Sequence, residues 1–155
     1  MTTPTLYVLV GIPGSGKSTW VENQEWAKDC AYISTDKLVE EEAKRQGSTY
    51  NDVFHDYMKK ATLLMCEEVY DARDQEKSII WDQTSTTIKS RAKKLRMLPN
   101  YKKIAVVFKV PEAEELNRRL ANRPGKTIPK NVVDQMINGF VTPTEEEGFD
   151  EIWYT

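Results

Sequence analysis

The sequence predicts an α/β protein in which a mostly parallel, five-stranded sheet lies between helical layers and carries a helical lid. Three observations support this. Short apolar, β-branched segments recur along the chain, separated by stretches with helical period. Runs such as Ile104-Ala105-Val106-Val107-Phe108 are apolar almost without a break, as expected of a strand covered on both faces. The first apolar segment also hands over directly to a glycine-rich turn that opens a helix. With 155 residues the chain is the size of one domain, 1–155, large enough to bury a core without disulfides or metal staples.

The first strand is expected over Thr5 to Val10. Residues Gly11 to Thr19 follow it and read Gly-Ile-Pro-Gly-Ser-Gly-Lys-Ser-Thr. Gly11, Gly14 and Gly16 let the backbone curl around Ser15 so that successive N–H groups point at a polyphosphate. Lys17 adds a mobile cation for the β- and γ-phosphates, and Ser18 offers a hydroxyl to Mg²⁺. The helix starting near Ser18 and Thr19 turns its positive end toward the anion. This is a phosphate-binding loop, so the expected fold is the three-layer P-loop NTPase arrangement of the nucleoside-kinase-like type. The expected chemistry is that of a phosphotransferase or NTPase using ATP, or another NTP, with Mg²⁺.

A second strand is expected over Ala31 to Ser34, before a helix through Leu38 to Arg45. Asp36 falls where a carboxylate would face the γ-phosphate, as a general base, or where Ser34, Thr35 or Asp36 would cap that helix. A long helix from about Asn51 to Arg73 shows Phe54, Tyr57, Met58, Ala61, Leu64, Met65 and Val69 on one face, read as core. His55 in that helix reads as structural or exposed. The third strand, Ser78 to Asp82, ends in a carboxylate at the ligand edge. Asp82 there could hold a Mg²⁺-bound water, a substrate hydroxyl or a lid arginine. In the basic helix that follows, Arg91 is read either as an anion ligand for the acceptor or as an exposed charge. The fourth strand is expected over Ile104 to Val110, and Pro111 with Glu112, Glu114 and Glu115 starts the next helix. That helix carries Arg119 and Arg123, four apart on one face, with Arg118 facing elsewhere. It runs into Pro124-Gly125-Lys126-Thr127-Ile128-Pro129, so a lid is expected at about 119–130, closing its two arginines over the nucleotide. The fifth strand is expected over Glu151 to Tyr154.

Composition narrows the function classes. A net charge of −2 excludes a globally basic surface of the kind that grips duplex nucleic acid. Cys30 and Cys66 lack metal-ligand spacing and read as thiols of a reducing compartment. No apolar stretch approaches a membrane span, and Met1-Thr2-Thr3-Pro4 leads straight into the first strand without a leader pattern. The expectation is a protein of the cytoplasm, bacterial or of a phage-infected host, with no membrane partner.

Over nearly its whole length the chain resembles the phage and bacterial 5′-polynucleotide kinase family. Gly11 to Trp20 resembles the family's phosphate loop, Ser34-Thr35-Asp36 its catalytic-aspartate motif, and Ile80-Trp81-Asp82-Gln83-Thr84 its strand-end segment. Arg91 follows at the family's spacing, and Arg119 to Pro129 with Val132-Val133 resembles the lid and the helix after it. The resemblance implies that Lys17, Asp36 and Arg123 are catalytic and that Ser18 lies on the metal. It further implies that Arg119 is at the nucleotide and that Asp82 and Arg91 are near the acceptor. One position departs: three residues after the aspartate, where familiar members place an arginine that engages the acceptor, stands Val39, so that either Lys37 or Lys44 substitutes or the acceptor carries less phosphate near its attacked end. The implied activity is transfer of the ATP γ-phosphate to a 5′-hydroxyl end of DNA or RNA, single-stranded, by a stand-alone kinase domain. A small-molecule kinase of the same fold and an ATP-binding switch module are the alternatives. DNA versus RNA, the donor base and the oligomeric state stay open.

Overall fold

The computed structural model describes residues 2–155. Five strands, β1 (Thr5–Val10), β2 (Ala31–Ile33), β3 (Ile79–Trp81), β4 (Lys102–Val107) and β5 (Glu151–Tyr154), form one sheet in the order β2-β3-β1-β4-β5. Every pairing is parallel, with Leu6 beside Ile79 and Tyr7 beside Ile104. Because consecutive side chains alternate between faces, Leu6, Val8 and Val10 enter one core layer with Ile79 and Trp81, whereas Leu9, Ile80 and Ile104 enter the other. Helix α1 (Lys17–Glu22) and a 3₁₀ turn over Glu25–Asp29 cover the second layer through Trp20, Val21 and Trp26. Helices α2 (Thr35–Gln46), α3 (Tyr50–Asp74) and α4 (Ile88–Met97) build up the first. Helices α5 (Ala113–Ala121) and α6 (Lys130–Asn138) flank the turn expected to act as a lid and pack Leu116 and Val133 on Ile12 of the phosphate loop.

The helix starts follow from local chemistry. The Ser34 hydroxyl accepts from the Lys37 amide and caps α2, so Asp36, in the first turn, is not the cap. Thr49 and Asp52 satisfy each other's amides reciprocally and start α3. The expected stripe on α3 is shifted by one residue at its start. Val53 is buried against Val39, Ala43 and Ala61, and Phe54 lies exposed beside the Tyr50 ring. The fourth strand begins two residues earlier than the apolar pattern suggests, because the Lys102 backbone pairs beside Thr5 whatever its side chain does. Both cysteines are free, and among the described residues no helix is long and apolar enough to cross a membrane.

Lys94 is buried on the inner face of α4, its Nζ 5.3 Å from the Trp81 ring centroid and 3.4 Å from the Ser90 carbonyl. Burial, reinforced by the neighbouring Lys93 charge, lowers its pKa to about 8. Between about 8 and 10.5 the unfolded chain keeps a proton that the folded one has released, so stability should rise with pH across that window. Lys94→Met is expected to stabilise the protein at pH 7 by on the order of 1–2 kcal/mol. The gain should shrink above pH 9.5, as urea unfolding at the two pH values would show.

Candidate active site

Three loops leave the carboxyl ends of β1, β3 and β2 side by side, where a doubly wound sheet opens its crevice. They line a cleft of about 1420 Å³ together with α5 and the turn after it. Lys17, Ser18 and Thr19 open α1, and helix geometry leaves their amides without partners inside the helix. Gly14 and Gly16 take φ values of 83° and 95°, which L side chains rarely adopt, and Gly16 is the residue that turns the loop into α1. The Lys17 ammonium lies within the loop, donating to the Gly11 and Ile12 carbonyls at 2.9 and 3.0 Å. Desolvation holds it below its usual range, against the pull of Asp82 and Asp36. The Gly11 amide donates to the Thr84 carbonyl at 2.9 Å, joining this loop to the one after β3.

Asp36 faces the same cleft from the first turn of α2, with its side chain 51% exposed. One carboxylate oxygen accepts from the Tyr50 hydroxyl at 2.7 Å and the other from Lys126 Nζ at 3.2 Å. Desolvation by the cleft walls would raise its pKa. The Lys126 charge and the Tyr50 bond outweigh that and hold the carboxyl below its usual range. Asp82 is buried and accepts from the Tyr32 hydroxyl. Burial raises its pKa, although the Tyr32 bond and the Lys17 charge act the other way. The hydroxyls of Tyr32 and Tyr50 have their pKa values pushed well up by burial and by these carboxylates, so both stay protonated donors.

Helix α5 and the turn after it bring cations to the opposite wall. Arg119 donates to the Gly14 carbonyl at 2.9 Å and to Glu115 at 2.7 Å, which ties α5 to the mouth of the phosphate loop. Arg123 lines the cleft, and its Nη1 is buried without a hydrogen-bond partner among the described residues. Arg118, expected to face elsewhere, pairs with Glu115 and still forms part of the cleft rim.

Two expectations need correcting. Arg91 does not reach the cleft. Fully buried, it donates to Glu147 through Nε at 2.8 Å and Nη2 at 3.1 Å and to the Ser85 carbonyl through Nη1 at 3.0 Å. It is a buried tie between α4, the loop after β3 and the 3₁₀ turn at Glu145–Glu147, not a ligand for an acceptor. Val39 is fully buried between α2 and α3, and of the two lysines proposed to stand in for an arginine there, Lys37 is at the cleft while Lys44 is not among its lining residues. Sequence reasoning passed over Lys126, whose side chain is only 13% exposed and sits between Asp36 and Glu40. Asp36 and Glu40 are four apart on α2 and so share a face, a pattern that invites a cation.

Comparison with known proteins bears on the family and the fold. A family model described as an AAA domain matches residues 6–143. The bifunctional polynucleotide phosphatase/kinase of Schizosaccharomyces pombe is 29% identical over 152 residues, covering 95% of this chain and 32% of that protein. The chain thus spans about a third of the length of that relative. Among solved structures, a chain of the Pnkp1/Rnl/Hen1 RNA repair complex superposes with a TM-score of 0.67 at 21% identity, covering 90% of this chain and 44% of that one. A gluconokinase from Sinorhizobium meliloti 1021 superposes with a TM-score of 0.57 at 16% identity, covering 99% and 83%. At these identities the structural matches carry the fold, which is that of the P-loop kinases.

Proposed function

The chain belongs to the AAA-domain family, and from that membership we propose that it is an ATP-dependent kinase moving the γ-phosphate to the 5′-hydroxyl of a single-stranded DNA or RNA end. The observation that carries this reading is Asp36. Its carboxylate is released from capping duty by Ser34 and faces the same cleft as Lys17 and Arg123. Each carboxylate oxygen accepts one bond and keeps lone-pair capacity for a substrate hydroxyl. The phosphatase/kinase relative supports the choice of a polynucleotide acceptor.

In this reading the acceptor oxygen bonds to the γ-phosphorus as the bond from that phosphorus to the leaving oxygen of ADP breaks, and the hydroxyl proton passes to Asp36. Lys17 leaves the Gly11 and Ile12 carbonyls for the phosphates, and the orphaned Nη1 of Arg123 takes an equatorial oxygen, where charge gathers in the transition state. Gly11, Gly14, Ser15, Gly16, Ser18 and Thr19 supply the phosphate cradle, with Arg119 at its mouth. The donors beside it are oxygens alone, the Ser18 hydroxyl and the Asp82 carboxylate, and among the described residues no group of three or more His, Cys, Asp or Glu is placed to hold a metal ion. That set suits a hard cation held mostly by water and phosphate, so Ser18 and Asp82 are the residues that would hold Mg²⁺. When bound, Mg²⁺ neutralises phosphate charge.

The buried Val39 favours a second reading, a kinase for a small alcohol, since α2 offers no arginine at that place for a phosphorylated acceptor. Labelled ATP, Mg²⁺ and a panel of 5′-hydroxyl oligonucleotides and small alcohols separate the two. The proposal expects label on an oligonucleotide. Label on a small alcohol alone selects the second reading, and stoichiometric nucleotide binding without transfer rejects both in favour of a switch module.

A further inference from the structure

Lys126 belongs to a turn that is fastened at several points. The turn closes with a bond from the Lys126 amide to the Arg123 carbonyl at 3.1 Å, and Gly125 lies so close to Thr49 that a Cβ built on it would be 2.7 Å from the threonine Cβ. The Asn51 amide donates to the Gly125 carbonyl at 2.9 Å, and its side chain pairs with both the amide and the hydroxyl of Thr127. The lid is therefore latched onto the first turn of α3, next to Tyr50. This latch delivers the Lys126 ammonium to a set place, 2.9 Å from Glu40, 3.2 Å from Asp36 and 4.5 Å from the centroid of the Tyr50 ring.

We propose that Lys126 is the positioning residue for Asp36: latched by the lid over the start of α3, it clamps the carboxylate between its own ammonium and the Tyr50 hydroxyl, so that the acceptor side is set only when the lid is down. The inference rests on the reading of Asp36 as the group that takes the hydroxyl proton. Its physical content is orientation. Asp36 is half exposed and would otherwise sample several rotamers. With one oxygen held by Tyr50 and the other by Lys126, its remaining lone pairs point in fixed directions into the cleft. Charge supports the same role. Asp36 is faced by Lys126 and Arg123 from the lid, Tyr50 from α3, Lys17 from the phosphate loop, Asp82 from the loop after β3, and Glu40 and Lys37 from its own helix. Lys126 is the largest of the influences that hold its carboxyl low. Glu40 is the second anchor that keeps Lys126 in place while Asp36 serves the substrate.

The test compares wild type with Lys126→Met, Lys126→Arg and Asn51→Ala, using Asp36→Asn to assign the signal. The Asp36 carboxyl is titrated by carbon-13 NMR, and kcat for labelled-phosphate transfer is followed against pH. Lys126→Met should raise the Asp36 midpoint by roughly 1 unit, the low end for losing a cation at this range. It should move the acid limb of kcat to higher pH by a similar amount and cut kcat about tenfold. Lys126→Arg should restore the midpoint, and Asn51→Ala should shift it the same way by less. An Asp36 midpoint unmoved in Lys126→Met overturns the inference. So does a rise in KM for the oligonucleotide with kcat and the acid limb unchanged, which would make Lys126 an acceptor-phosphate ligand. The NMR titration needs no turnover, so a wild type that transfers nothing strikes the kinase reading alone.

Discussion

Alanine at Asp36 is expected to lower kcat for phosphoryl transfer by about 10²–10⁴-fold, the range for removing a positioned general base, while leaving ATP affinity within severalfold. The asymmetry follows from where the side chain stands. In the proposed reading Asp36 stands on the acceptor wall of the cleft, whereas the donor's phosphates would lie on the amides at the start of α1 and against Lys17 and Arg123. Helix α2 should survive the change, because its cap is the Ser34 hydroxyl. Lys126 loses one carboxylate and keeps Glu40. Stability should fall slightly at neutral pH. A carboxyl whose folded pKa is depressed contributes stability above its unfolded pKa and loses it as pH drops through the folded value, and at Asp36 solvent screens most of that contribution. Transfer kinetics beside an ATP titration check the result, with Asp36→Asn as the isosteric control. Undiminished transfer by the alanine variant would remove Asp36 from the mechanism.

What could be read from the sequence was what the chain writes contiguously. The phosphate loop is nine consecutive residues running from the end of a strand into the first turn of a helix, and the positions of Ser34 and Asp82, just past β2 and β3, follow from apolar runs. The break after α5 showed in Pro124-Gly125, although the helix ends at Ala121 and Arg123 stands beyond it rather than on its face with Arg119. Arg91 was misjudged because its partner, Glu147, is 56 residues away and turns an apparently exposed basic helix face inward. Lys126 escaped notice for a related reason. Its setting needs the start of α2, the first turn of α3 and the turn after α5 to converge, and only Asp36 and Glu40 share a local pattern that hints at it. On α3 the choice between Val53 and Phe54 depends on helix phase. Neighbouring apolar residues satisfy the period equally well, and packing against Val39 and Ala43 decides between them.

Replacing Arg91 with methionine is expected to destabilise the fold by about 3–5 kcal/mol, the cost of removing one partner of a buried ion pair and leaving the other charge uncompensated. Glu147 would be that stranded charge, with its side chain 9% exposed. Burial alone would raise the Glu147 pKa; the two bonds from Arg91, with the Thr144 amide, hold it below its usual range instead. The stability this contributes is present above the unfolded pKa and lost as pH falls through the folded value, so the variant should also lose part of the wild type's acid sensitivity near pH 4. Thermal unfolding should show a drop of roughly 10 °C for a chain of this size. Arg91→Met combined with Glu147→Gln should recover much of it, because no buried charge then lacks a partner. The loss should extend to the cleft. Ser85 has φ 47°, an unfavourable value for serine, and its carbonyl is held by Arg91. The adjacent Thr84 carbonyl accepts from Gly11, and Asp82 begins the same loop. Freed from Arg91, that loop should relax and loosen both the phosphate loop and Asp82, lowering kcat below what destabilisation alone explains. A variant with an unchanged melting temperature and a raised KM for the acceptor would instead place Arg91 at the substrate.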